Sequence, residues 1–135
     1  MQKLKILSGL AIICLSYNLI VVLSVALNSS WVNKLAAGGQ FTNFPLGIRA
    51  VYGIMSIAMV FLIFFVKDLS QNPLPKEHES KRRTARLLAF IFVLSTFTQL
   101  ISRSPLERWN AIPALIISYA FWTLSRSNVK NTRGK

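Results

Sequence analysis

Residues 67–86 read KDLSQNPLPKEHESKRRTAR. No other stretch of the chain is both as long and as poorly suited to a bilayer, and it separates two hydrophobic hairpins. It also carries six of the sixteen Lys and Arg residues. Cytoplasmic loops accumulate positive charge, so this stretch is the strongest marker of which side of a membrane each segment faces.

Composition points the same way. Of the 135 residues, 53% are hydrophobic and 15% charged, with nine Phe, a poor match to a water-exposed surface. A net charge of +12 would also suit a nucleic-acid binder, but the basic residues sit at the ends of apolar runs and not along one polar face. Anionic lipid headgroups are therefore the expected counter-ions, and nucleic acid is not an expected partner. Cys14 is the single cysteine, so neither a disulfide nor a cysteine-based metal site forms within one chain.

Upstream of the linker, Ile6 to Leu27 is free of charge over 22 residues. That is about 33 Å of helix, enough for a hydrocarbon core of about 30 Å. The run exceeds the apolar region of about 7–15 residues found in signal peptides, so it reads as a retained first span, about 6–27. Asn28 to Phe44 is polar and rich in small residues. There Ser30 predicts a cap for a short interfacial helix from Trp31 to Ala37, ended by Gly38 and Gly39. Trp31, Phe41 and Phe44 suit the headgroup layer. Pro45 opens a second span, about 46–67, and Asn72-Pro73 stops it.

Downstream, a helix is expected from about Lys76 to Ile101, its last part crossing at about 85–102. Glu77 and Glu79 favour its start, and Glu77 with Lys81 forms an i,i+4 pair. Ser104-Pro105-Leu106-Glu107 reads as a capping box with proline in the first turn. It predicts a fourth helix from Pro105 to about Ser125, with the span at about 106–125 and a kink at Pro113, whose ring leaves the Trp109 carbonyl without its donor. Residues 126–135 form a basic tail.

The amino terminus, the linker and the tail hold twelve Lys and Arg, against Lys34, Arg49, Arg103 and Arg108 on the other side. The expected fold is thus all-α, a single domain over residues 1–135: an integral membrane four-helix bundle with N and C termini cytoplasmic.

Chemistry-bearing residues are few. Glu77, His78 and Glu79 are consecutive, so on a helix they diverge and cannot converge on a metal. No Ser-His-Asp set, HExxH, phosphate loop or pair of facing carboxylates occurs, and neither a cofactor nor a metal is expected. Each span does gather polar residues at i,i+3 or i,i+4 spacing: Cys14 and Asn18; Arg49, Tyr52 and Ser56; Ser95, Thr98, Gln99 and Ser102; Asn110 and Ser118. Turned to lipid they would be unfavourable, so they are expected to face one another. Interhelical hydrogen bonding is the plain reading. The sharper one is a polar vestibule on the outer side, built from Asn18, Arg49, Tyr52, Gln99, Arg103, Arg108 and Asn110, in which three arginines against Glu107 would favour an anionic ligand. Lys81, Arg82, Arg83 and Arg86 are expected to touch anionic lipid headgroups.

The functional expectation is a small multi-pass membrane protein without catalytic activity, an accessory or assembly subunit with a membrane-protein partner or a homo-oligomer. The alternatives are an oligomeric transporter or binder of a small anionic solute or lipid, and a holin-like pore former.

Overall fold

The computed structural model describes residues 2–71 and 79–127. Within them the chain is helical and without strands: α1 (Gln2–Ala26), α2 (Leu46–Gln71), α3 (Glu79–Leu100), α4 (Pro105–Arg108) and α5 (Ala111–Arg126). On length and composition alone, α1 and α2 are long and apolar enough to cross a membrane. The third begins in the charged stretch from Glu79 to Arg86, and α5 has 16 residues, so neither meets that measure by itself. The expected stop at Asn72-Pro73, the start at Lys76, the Glu77–Lys81 pair and residues 128–135 of the tail lie outside the described residues.

The helices pack in the order α2, α1, α5, α3. Helix α1 lies against α2 on one side and α5 on the other, and α3 lies against α5. Helices α2 and α3 close the ring only loosely. A groove lined by Phe61, Phe64, Phe65 and Leu88 runs between them, and Lys81 Nζ bridges it to Asp68 Oδ2 at 2.7 Å.

The core is built on small residues that let backbones approach. Ala85 and Ala89 of α3 face Ala114, Ile117 and Phe121 of α5, with Ala11 and Leu15 of α1 and Val66 and Leu69 of α2 closing the cluster. Phe121 is its centre, stacked between Phe65 and Phe92 at centroid distances of 6.2 and 6.1 Å. Ser118 Oγ donates to the Ala89 carbonyl across the α3–α5 seam at 2.8 Å. An Ala89→Leu substitution should force this seam apart and destabilise the fold by about 1–3 kcal/mol. Thermal unfolding in detergent measures it, with Phe90→Leu on the exposed neighbour as a control expected to stay close to wild type.

Three local expectations are corrected. The interfacial helix is not one helix but two 3-10 turns, Ser30–Val32 and Ala37–Gly39, and no side chain caps the first. The helix expected from Pro105 to about Ser125 is divided at Trp109–Asn110. Pro113 is thereby the third residue of α5, where a helix needs no N–H, and the Trp109 carbonyl takes its hydrogen bond from the Ile112 N–H at 3.2 Å instead. Finally, Ser104 makes no side-chain cap; both ends of the expected capping box are engaged elsewhere in the fold.

Candidate functional site

The site lies at the loop end of the bundle, where residues 27–45 and 101–110 meet. Helix α1 ends at Ala26, and in the turn that follows, Asn28, with a φ of 59°, reverses the chain. Its Oδ1 then accepts from the Phe44 N–H at 2.8 Å, fastening the two ends of the long loop. Inside that closure, Val32, Ala36 and Phe44 are buried against Val21 and Val25 of α1. Phe44 is thus a core residue of the loop and not a headgroup-level aromatic, whereas Trp31 is exposed. Asn33 Nδ2 donates to the Thr42 carbonyl at 2.8 Å. Arg49 Nε donates to the Ala26 carbonyl at 3.0 Å, placing a cation on the negative end of the α1 dipole.

Ala37, Gly38 and Gly39 follow one another at φ of 52°, 71° and 68°, a left-handed run that turns the Gly38 N–H toward Glu107 while the Gly39 N–H donates to the Ala36 carbonyl at 3.0 Å. A Cβ on Gly39 would stand 3.2 Å from Ser104 Cβ. With backbone strain added to that contact, Gly39→Ala should cost about 1–2 kcal/mol, seen as a lower unfolding temperature and faster proteolysis of the loop.

Irregular backbone in an apolar surrounding must have its polar groups satisfied. Residues 101–110 do this for the loop. Glu107 Oε2 accepts from the Gly38 N–H at 2.8 Å and also from the Ser102 hydroxyl. The Ser104 hydroxyl donates to the Lys34 carbonyl. Asn110 Nδ2 donates to the Leu35 carbonyl at 3.0 Å while its Oδ1 accepts from the Tyr17 hydroxyl at 2.8 Å, so one buried amide joins α1, the loop and the start of α5.

Beneath this clasp is a chamber of about 90 Å³. Its polar wall is Asn18, Tyr52, Ser95, Gln99, Glu107 and Asn110, and its floor includes Met59 and Phe92. Gln99 Nε2 donates to Ser95 Oγ at 3.3 Å, and Gln99 Oε1 is buried without a hydrogen-bond partner. Tyr52 and Glu107 line the same wall.

Four of the seven residues expected at the vestibule therefore line one chamber: Asn18, Tyr52, Gln99 and Asn110. The three arginines do not. Arg49 is held on α1, Arg108 Nε donates to the Ser102 carbonyl at 2.9 Å, and Arg103 is exposed on a neighbouring cleft with Lys34. The one charged group in the chamber wall is Glu107, so the chamber does not present the positive face that an anion would need.

Most of the other polar side chains return to their own helix. Asn18 Nδ2 donates to the Cys14 carbonyl, Ser56 Oγ to the Tyr52 carbonyl and Thr98 Oγ1 to the Ser95 carbonyl. Ser118 and Asn110 make contacts across elements, the former to α3. The basic quartet is likewise divided. Lys81 is paired with Asp68, Arg86 lies 3.7 Å from Glu79, Arg83 is exposed, and Arg82 is buried at 9% exposure. Arg82 therefore does not offer its side chain to headgroups as expected.

Tyr17 is the contribution missing from the expected site, and Glu107, expected there only as an acid outnumbered by arginines, is the charged group of the chamber wall. Tyr17 adjoins Asn18, and Glu107 is the only acid on its side of the linker's second hairpin after Glu79, but only the path of the loop brings either to Asn110 or Gly38. Chemically, the chamber offers one carboxylate, amides and hydroxyls. Among the described residues no three His, Cys, Asp or Glu gather to hold a metal ion. Compared with family models, with characterised proteins and with solved structures, the chain matches none.

Proposed function

We propose that the chain is a four-span integral membrane protein with both termini cytoplasmic, without catalytic activity, that works as a subunit of a membrane assembly with other proteins or with copies of itself. Support for four spans comes from the outward faces of all four long helices. Ile13 and Ile20 on α1, Ile54 and Phe61 on α2, Phe90 and Phe97 on α3, and Leu115 and Trp122 on α5 all point away from the core. Water would penalise such a girdle, whereas acyl chains satisfy it. The orientation rests on the twelve-to-four distribution of Lys and Arg.

The observation that carries the non-catalytic reading is the use made of the polar residues at the loop end. Glu107, Ser104 and Asn110 hold backbone groups of 34–38 in place, as members of a structural clasp and not as a reacting pair poised over a substrate. What remains for interaction is the apolar side of the bundle. Purification in mild detergent, with mass spectrometry of everything retained, tests this reading. A stoichiometric second protein or a defined homo-oligomer is the expected result. A monomer that retains no protein and turns over a lipid-borne substrate would contradict it.

A further inference from the structure

The chamber raises a charge question that the clasp does not answer. The ion pairs among the described residues are Lys81–Asp68 and Arg86–Glu79. Glu107 is in neither, and its hydrogen bonds come from two neutral donors, the Gly38 N–H and the Ser102 hydroxyl. Among the described residues, no ammonium or guanidinium is paired with this half-buried carboxylate. Gln99 also lines the chamber, and its amide oxygen is buried with no hydrogen-bond partner. One guest satisfies both groups: a cation.

We infer that the chamber is a binding site for one small monovalent cation, held by the Glu107 carboxylate and the Gln99 amide oxygen, with the oxygens of Asn18 and Tyr52 in the same wall. Valence follows from the wall. One carboxylate balances one positive charge, whereas calcium-class ions gather several carboxylates and transition metals need His or Cys, which the chamber lacks. Size follows from the volume. About 90 Å³ is room for about three water molecules, hence for an alkali ion with one or two waters or for ammonium, and too little for an amino acid or a sugar. Because the carboxylate also holds Gly38 of the loop, occupancy of the chamber should stiffen the loop above it.

The test is thermal unfolding of the detergent-purified full chain in sodium, potassium or ammonium chloride, against N-methyl-D-glucamine chloride at equal ionic strength. The expected result is a saturable rise of at least about 3 °C with one of the small cations and none with the bulky one. Sodium or potassium as the effective ion identifies an alkali site, and ammonium identifies a hydrogen-bonding site for a protonated amine. Glu107→Gln should abolish the rise, and Gln99→Met should raise the half-saturating concentration at least fivefold. Phe90→Leu, remote from the chamber, should respond as the wild type does. An unfolding temperature the same in all four salts overturns the inference, as does an undiminished rise in Glu107→Gln. If Glu107→Gln does not fold, Gln99→Met decides, and an unchanged half-saturating concentration there overturns it.

Discussion

Asn110→Ala should destabilise the protein by about 2–4 kcal/mol, because truncation orphans the Leu35 carbonyl and removes the partner of the Tyr17 hydroxyl in one step. Both lost bonds join distant segments, spanning 75 and 93 residues of sequence. A typical hydrogen bond in a membrane bundle contributes only about 0.6 kcal/mol, since the unfolded chain in the membrane finds other partners. Asn110 differs in being 5% exposed and in serving a stretch of loop that has no helix to satisfy it. Tyr17→Phe removes only the bond to α1 and should cost about 1 kcal/mol. The double variant should cost clearly less than the sum of the two, since both remove the same contact. Strict additivity in a double-mutant cycle would show that the Tyr17–Asn110 bond contributes nothing.

Glu107→Ala should release the loop while leaving the helices assembled. It removes the acceptor of the Gly38 N–H and the Ser102 hydroxyl, and hydrogen bonds to a charged acceptor contribute about 1.5–3 kcal/mol each. The helix core does not include Glu107, so the loss should be local. Hydrogen exchange should rise at least about tenfold at the amides of residues 34–40, the factor expected from about 1.4 kcal/mol of lost protection, with α5 amides near wild type. Uniform acceleration across α5 as well would mean that Glu107 supports the whole bundle.

The two effects explain why helices were readable from the sequence and the clasp was not. Runs such as Ile6 to Leu27 announce a helix by composition, and α1 and α2 begin and end within a few residues of expectation apart from the polar extensions Gln2–Lys5 and Asp68–Gln71. Ser104 and Glu107, in contrast, form a pattern with a strong local meaning, a capping box. The fold gives both side chains to residues 69 and 70 positions away. Local capping satisfies a helix of four residues; the tertiary contacts satisfy backbone groups of a loop that has no other donors or acceptors for them. Competition of that kind depends on where the loop lies, which no spacing rule encodes. Gly38 and Gly39 did signal a left-handed turn, and the structure places them there, but Ala37 joins them at φ 52°, held by the same contacts.

The polar residues of the long helices carry a similar lesson. Helical spacing placed Asn18, Tyr52, Gln99 and Asn110 on inward faces, and they meet in one chamber. Spacing alone does not say whether a hydroxyl or amide reaches across or bonds its own preceding turn, and Ser56, Thr98 and Asn18 do the latter. The arginines were misassigned to the chamber for a related reason. A long side chain near a helix end reaches whichever carbonyl is orphaned there, as Arg49 does with Ala26.

The most direct test of the account is the side of the membrane on which four single cysteines react. In a Cys14→Ser background, Thr42→Cys, Ser80→Cys, Arg103→Cys and Ser127→Cys are treated in turn with a membrane-impermeant maleimide, in intact cells and after permeabilisation. Thr42→Cys and Arg103→Cys should react from outside, and Ser80→Cys and Ser127→Cys only once the membrane is opened. Reaction of Thr42→Cys and Ser80→Cys from the same side, or of Ser80→Cys and Arg103→Cys from the same side, would contradict the four-span bundle on which the account rests.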